Sequence, residues 1–464
     1  MPSLFNLLEE LLLEIFFLFQ FSNQTLLSLI LVCRRFHRIA RPLLYRHISL
    51  VNNYINGIYK KPGDERIKQE RLLEDARAKQ NRYLELAFAT HPKLRHAVRR
   101  YGPIRLPTEW AKLYLSFAKL RTFPNVHTMT IERPALGFHA TATHHWDAQK
   151  CAPLHNIKTV RVIAGLTWPD VLAATSWPGV EKVVITGARV PFRLPDAAEY
   201  VVEPSTLQTL ALYAAKNTGR ADSLYEPEIL RDILRRCPLT RNLTCHLPVA
   251  VQPAGNSYIF RPELVAFALD PIRSTLTKLD LYVCARKSLE FYGKPMDLSR
   301  FVSLKVLRID AVYMVPEQAL SADTNVCRLL PHSLERLQVN FYSEQHIFFP
   351  PSEPNKEVPD EQYIWLHQFP FHKSSALPHL KEVAMSEVWY VEAQADEYYA
   401  VRQVPTRPWK QPPQIRAAFA SAKIALNVQI HMKSMDDIWD DAPPERKVKL
   451  LHGGRSSDDW DSSW

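Results

Sequence analysis

Apolar residues follow two rhythms along this 464-residue chain, a helical one in the first fifty residues and a strand-like one farther on. In the first, Leu8, Leu11, Leu12, Ile15, Phe16 and Phe19 recur at three- and four-residue spacing, while Glu9, Glu10 and Glu14 take part of the other face. That spacing predicts a helix over Leu7 to Phe16. Leu26, Leu29, Ile30, Val32, Cys33 and Phe36 repeat the pattern with Arg34, Arg35 and Arg38 on the solvated side, predicting a second helix through Leu29 to Phe36. Pro42 suits the first turn of a third, Pro42 to Ile48, because its missing N–H costs nothing there. Three such short helices cannot bury this much Leu and Phe among themselves, so apolar surface is left for a partner.

The second rhythm is apolar, two variable, apolar, one variable, apolar. It stands at Val126/Met129/Ile131, Ile157/Val160/Val162, Val180/Val183/Ile185, Leu207/Leu210/Leu212, Leu276/Leu279/Leu281, Leu304/Leu307/Ile309, Leu334/Leu337/Val339 and Leu380/Val383/Met385. Weaker copies are Thr240/Leu243/Cys245 and Ala425/Val428/Ile430. The last two apolar positions alternate on one face of a short strand, so stacked copies bury those faces along a solenoid of parallel strands joined by helical segments. Prolines such as Pro124, Pro178, Pro204, Pro238, Pro331 and Pro378 punctuate the copies by stopping what precedes them. A compact α/β domain with several strands of this pattern is the alternative. Between the two rhythms, Val51 to Asp64 reads as a loop and Glu65 to Thr90 as a linking helix ended by His91-Pro92. Leu94, Val98 and Ile104 then suggest an incomplete strand, and Trp110 to Leu120 a helix.

The runs LLEELLLEIF and LILVCRRFHRIARPLLYRHISL resemble an F-box of the fungal type, and the copies that follow resemble a degenerate leucine-rich-repeat array. Leu8 stands where the F-box family usually has proline. The array departs from its family too: its copies start 23 to 46 residues apart, and the Asn or Cys expected eight positions after the first apolar residue is met only at Cys284. The fold implied is α/β, an amino-terminal three-helix F-box followed by an irregular leucine-rich-repeat solenoid with parallel strands. Its divisions are 1–50 for the F-box, 51–122 for a helical linker, 123–432 for the repeats and 433–464 for an acidic, disordered tail. The resemblance implies a non-catalytic, substrate-recognition subunit of a Skp-cullin-F-box ubiquitin ligase, directing ubiquitin-dependent degradation. In that role Leu7, Leu8, Leu11, Leu12, Ile15, Phe16, Leu29, Val32, Cys33 and Phe36 would bind the Skp-type adaptor, and through it a cullin. A protein substrate would lie on the repeats, where strand alternation places Lys182, Tyr213, Lys278, Asp280, Tyr282, Arg308, Asp310, Arg336, Gln338 and Asn340 on the face opposite the core. Tyr213, Asp280, Tyr282, Arg308, Asp310 and Arg336 are its anchor candidates, Tyr and Arg being the types that dominate interfaces.

Composition narrows the classes. Only 12 glycines against 35 prolines disfavours Gly-rich nucleotide-binding folds. Six scattered cysteines without a CxxC pair suggest neither zinc nor a disulfide framework, and a reducing cytoplasmic or nuclear setting. Three glutamates inside the apolar run from Leu4 to Phe21 argue against a signal peptide or membrane anchor. The formal charge of +10 is concentrated between Leu31 and Arg105, with 18 Lys and Arg against 6 Asp and Glu. A solvated helical face accounts for that surplus better than nucleic-acid contact, which stays as one alternative function, for residues 34–105, beside that of an F-box interaction protein acting outside the ligase. No phosphate loop, dinucleotide fingerprint, HExxH or nucleophile elbow is present, so no catalytic residue, cofactor or metal is expected. His144-His145 beside Asp147 lacks a third ligand at motif spacing. Two aromatic, proline-rich intervals, Ser343 to Ala376 and Glu387 to Pro413, are either binding loops or the cap of an exposed solenoid end.

Overall fold

The computed structural model describes residues 9–18, 23–49, 63–105, 122–132, 156–163, 175, 179–186, 205–213, 227–246, 251–254, 257–282, 289–291, 293–314, 326–341, 348, 360–391, 406–409 and 411–434. The chain forms two compact units, residues 1–207 and 208–464.

The first unit opens with three helices, α1 (Glu9–Leu18), α2 (Asn23–Val32) and α3 (Arg34–Arg46). They close around Leu12, Phe16, Leu26, Phe36, Ile39, Ala40 and Leu43, with Phe16 and Phe36 meeting edge to face at 5.0 Å. The expected second helix is split: Cys33 is extended (φ −161°, ψ 166°) and its Sγ accepts from the Phe36 N–H at 3.4 Å. A thiol thus caps α3, where Ser or Asp is the usual N-cap. Pro42 is not at a helix start but inside α3. Phe36, Ile39, Ala40 and Leu43 run at helical spacing straight across it, and their burial outweighs the one backbone bond that proline deletes. Ile48 is likewise not helical but in a strand, β1 (His47–Ser49).

Helix α4 (Gly63–Thr90) then crosses over to β2 (Arg100–Arg105), and β3 (Thr128–Glu132), β4 (Thr159–Ile163) and β5 (Lys182–Thr186) follow. All five strands are parallel and neighbour one another in chain order. Tyr45, Phe88, Phe123 and Tyr101 form a chain of ring contacts that seats the end of α4 against this sheet. The strand expected around Leu94 and Val98 begins later. Leu94 is buried in a 3₁₀ turn, Pro92–Ala97, and Tyr101 takes the inward position beside Met129. The register slips between Tyr101 and Ile104, where Gly102-Pro103 cannot supply a regular ladder. The helix expected over Trp110 to Leu120 lies outside the described residues.

The second unit contains β6 (Thr209–Tyr213), α5 (Pro227–Arg236), β7 (Asn242–His246), β8 (Val251–Ala254), β9 (Ser257–Phe260), α6 (Pro262–Leu269), β10 (Lys278–Leu281), β11 (Leu289–Phe291), β12 (Val306–Asp310), β13 (Arg336–Phe341), α7 (Gln368–Phe371), β14 (Glu382–Val391), β15 (Thr406–Pro408), α8 (Pro413–Ser421) and β16 (Ala425–Ser434). Its main sheet runs β6-β7-β10-β12-β13-β14-β16-β15, parallel except for β15, and β11-β9-β8 form a small separate sheet.

The apolar triplets place their last two members on strands of these sheets, and from Val160 to Met385 those members are buried. Leu210, Leu243, Leu279, Leu307, Leu337 and Val383 lie side by side, as do Leu212, Cys245, Leu281, Ile309, Val339 and Met385. One copy is out of register. Val383 and Met385 pair with Leu426 and Val428, so the final triplet starts at Lys423 rather than Ala425. Lys423 takes a left-handed φ of 55° to end α8, with the Ile424 N–H returning to the Phe419 carbonyl at 3.0 Å.

A second ladder occupies the residue just before six of the triplets. The side chains of Asn125 and Asn156 donate to the carbonyls of His96 and Pro124, each at 2.7 Å, and Thr206 donates to that of Val180. Thr275, Ser303 and Ser333 do the same to Pro238, Ser274 and Leu304. These stitches satisfy carbonyls of the preceding copy at the strand entry. Cys284 lies outside the described residues. The described aromatics of the two intervals build core: Phe348, Tyr363, Trp365 and Phe369 are buried in a ring network with Phe341 and Trp409. The tail beyond Ser434 lies outside the described residues.

Candidate functional site

The surface of the three-helix module is sorted by how α1 and α2 pack. Leu12 and Phe16 on α1, Leu26 on α2 and Phe36 on α3 are consumed by the core, so Leu12, Phe16 and Phe36 shape the module and are not presented to a partner. Ile15, Leu29 and Cys33 are partly buried against that core. Of the remaining expected contacts, Leu11 and Val32 are about half exposed, whereas Leu7 and Leu8 lie outside the described residues. The open apolar surface is larger than the expected set. Leu13, Phe17, Leu18 and Leu27 also face solvent, as does Leu31 at 85% exposure. Helix α1, EELLLEIFFL, is apolar almost all round, so its periodicity could not say which leucines turn outward. Exposed apolar side chains gathered on two short helices are the pattern of an interaction site. Polar contacts flank them: Arg38 reaches Glu9 at 2.5 Å, joining α3 to α1, and the Arg46 guanidinium lies 4.7 Å from the Phe17 ring centroid. The Arg38–Glu9 pair is exposed and contributes little by itself.

In the second unit, strand alternation brings a polar constellation together on the face opposite the core. Asp280 on β10 is buried, with Lys278 at 3.3 Å, Arg308 of β12 at 3.8 Å and the Thr244 hydroxyl of β7 donating at 3.4 Å. Asp310 at the end of β12 is fully buried and accepts from Asn340 of β13 at 3.2 Å. Tyr282 follows β10 beside them. Burial pushes its hydroxyl up, Asp280 adds to that, and Arg308 and a hydrogen bond with Asn340 pull it back. Asp280, Tyr282, Arg308 and Asp310 are therefore one network. Tyr213 stands two strands away on β6, and Arg336 lies at the opposite end of its strand, beside Val306 and Glu382. Asp310 has no surface to offer a partner; its role is to hold Asn340. Arg308 and Arg336 are exposed, and Tyr213 and Tyr282 are half-buried. Asn340 is the member whose part in the network sequence spacing did not single out.

Among the described residues no group of three His, Cys, Asp or Glu side chains gathers as a metal site would require. His144, His145 and Asp147 lie outside them. No described helix is long and apolar enough to cross a membrane.

Comparison with known proteins finds no match among curated proteins. The F-box-like family matches residues 9–51, the stretch that spans α1, α2, α3 and β1. F-box domains generally bind Skp-type adaptors, and the exposed leucines of α1 and α2 lie within the matched stretch. The amino-terminal helices of this chain are an F-box-like domain, which supports an F-box protein.

Proposed function

We propose that this chain is a substrate-recognition subunit of a Skp-cullin-F-box ubiquitin ligase. Leu11, Leu13, Leu18, Leu27, Leu31 and Val32 dock on the Skp-type adaptor, which connects the chain to a cullin. The stacked strands, an irregular leucine-rich-repeat solenoid in this reading, hold a protein substrate, with Tyr213, Tyr282, Arg308 and Arg336 as accessible anchors. The chain itself carries no catalytic group: the ligase accelerates transfer by holding substrate near ubiquitin borne on other subunits. Cys33, Cys237, Cys245 and Cys327 are in no disulfide, which suits a reducing cytoplasmic or nuclear compartment. The observation that carries the reading is the open apolar surface of α1 and α2 inside the matched domain.

Co-purification of the full chain with a Skp-type adaptor tests it. Leu27→Asp together with Leu31→Asp places two charges on exposed positions and leaves the helix core intact. The doubly substituted chain is expected to lose the adaptor while remaining soluble. Undiminished adaptor recovery would remove the assignment of this surface.

A further inference from the structure

Helix α4 has one side that the fold uses and one that it does not. Phe88 is buried against Tyr45 and Phe123, and Leu84 is half-buried, so this side seats the helix on its unit. At 3.6 residues per turn Leu72 lies roughly 160° round the helix from Phe88. On that far side Leu72, Tyr83 and Leu86 are 60, 72 and 65% exposed. With half-buried Ala76 and exposed Lys79 they follow one another at spacings of four, three, four and three residues. This is the a and d spacing of a coiled-coil seam, by which one helix packs along another. Asp75 and Arg82, both exposed, stand immediately before Ala76 and Tyr83 and so share one border of the seam.

The charges on that border discriminate between ways of pairing. When two such helices run antiparallel, like borders face each other, so Asp75 of one copy meets Arg82 of the other, twice by symmetry. Run parallel, the same border would look across at Gln80 and Ala87, and Lys79 would lie level with its own copy. Two antiparallel registers keep the seam residues level. One sets Leu72 against Tyr83, Ala76 against Lys79 and Asp75 beside Arg82. The other, shifted by one heptad, sets Lys79 against Tyr83 and brings the two Arg82 side chains together. Opposite charges therefore select the first register. In it the small Ala76 leaves room for the Lys79 stem to run across to solvent.

We infer that the outer face of α4 is a self-association surface, whose partner is the same face of a second copy of this chain lying antiparallel. Leu72 packs on Tyr83 of the second copy, and Asp75 pairs with its Arg82. A seam of two heptads is short, and a lysine within it fixes register at a cost in stability, so the association is weak and depends on concentration. The surface uses none of the leucines assigned to adaptor docking.

Sedimentation velocity on the full chain should show a monomer–dimer equilibrium. Tyr83→Asp should weaken the dimer about tenfold or more and leave the melting temperature unchanged, because the side chain is exposed. Asp75→Arg and Arg82→Asp should each weaken it too, whereas an equimolar mixture of those two chains should associate better than either alone, each restoring the other's pairs. Disulfide trapping reads the register. Leu72→Cys and Tyr83→Cys chains should crosslink when mixed, above the background of the unchanged chain. Neither should crosslink by itself, because the two copies of residue 72 stand about 16 Å apart along the helices, beyond disulfide reach. The inference is overturned if the chain stays monomeric up to roughly 100 μM, if Tyr83→Asp dimerises as well as the unchanged chain, or if each single cysteine crosslinks to its own kind. A monomeric chain that holds a different protein through Tyr83 would overturn it as well, by giving the face to another occupant.

Discussion

Leu12 and Leu31 lie 19 positions apart in the same small module and should behave in opposite ways. Leu12 is wholly buried among Phe16, Leu26 and Phe36; Leu31 is 85% exposed. Truncating a buried leucine to alanine costs roughly 2 to 5 kcal/mol, the lost transfer energy plus the cavity left behind. A module of this size is stabilised by only about 2 to 6 kcal/mol at ordinary per-residue values. Leu12→Ala should therefore remove most of its stability, whereas Leu31→Ala should change it by no more than about 0.5 kcal/mol. Binding should reverse the order of specific effects: Leu31 buried in an adaptor interface contributes up to about 1.5 to 3 kcal/mol, about ten- to a hundredfold in affinity. Hydrogen exchange over α1 to α3 in the full chain, read beside calorimetric titration with the adaptor, separates the two. Leu12→Ala should accelerate exchange throughout the module; Leu31→Ala should leave exchange alone and weaken the adaptor. Unchanged exchange in Leu12→Ala would refute the helix core, and unchanged affinity in Leu31→Ala would refute the docking surface.

Two further outcomes follow from buried groups. His47 is held down to about 4 by burial first and then by Arg100, Arg46 and His127, against an ordinary value near 6.5. A depressed base contributes stability that is full above about pH 6.5 and fades as pH falls toward 4, because the unfolded chain takes up the proton first. His47 is only half-buried, so screening reduces the effect to about 1 kcal/mol. The melting temperature of the unit carrying β1 should thus fall between about pH 6.5 and 5, and His47→Gln should flatten that slope. In the second unit, Glu387 is wholly buried and accepts the Phe348 N–H at 2.7 Å. Glu387→Ala leaves that donor in an apolar setting at a cost of about 1 to 3 kcal/mol. Because Phe348 packs on Trp409, tryptophan emission should shift to the red, and an unshifted spectrum would contradict the packing.

The apolar triplets announced their strands because period-two burial leaves a local mark on residues such as Leu279 and Leu281. Parallel pairing then required only that the copies stack in chain order. What local pattern could not show was where long-range contacts choose among equivalent residues. Every leucine of α1 looks alike until Phe36 folds back on Phe16, and Pro42 looks like a helix start until Ile39 and Leu43 are seen to bury across it. Cys33 fitted the apolar spacing of one continuous second helix because a thiol is apolar, yet its sulfur caps α3. The polar residues before the triplets, Asn125, Asn156, Thr206, Thr275, Ser303 and Ser333, were visible in the chain. Their meaning depended on which carbonyl the neighbouring copy would bring within reach. The polar network had the same mixed character: alternation gave the right face, but only the packing separates accessible Arg308 from sealed Asp310.

Strand β1 bears on how this protein should be cut. Because His47 to Ser49 hydrogen-bond along β2, removing the first fifty residues would excise an outer strand together with the helices. The severed protein would present the unpaired backbone of β2, and bare strand edges recruit one another into aggregates. Loss of binding by such a truncated chain would then report a damaged sheet as much as a missing docking domain. Cutting instead between α2 and α3, or replacing the exposed leucines alone, leaves that border closed.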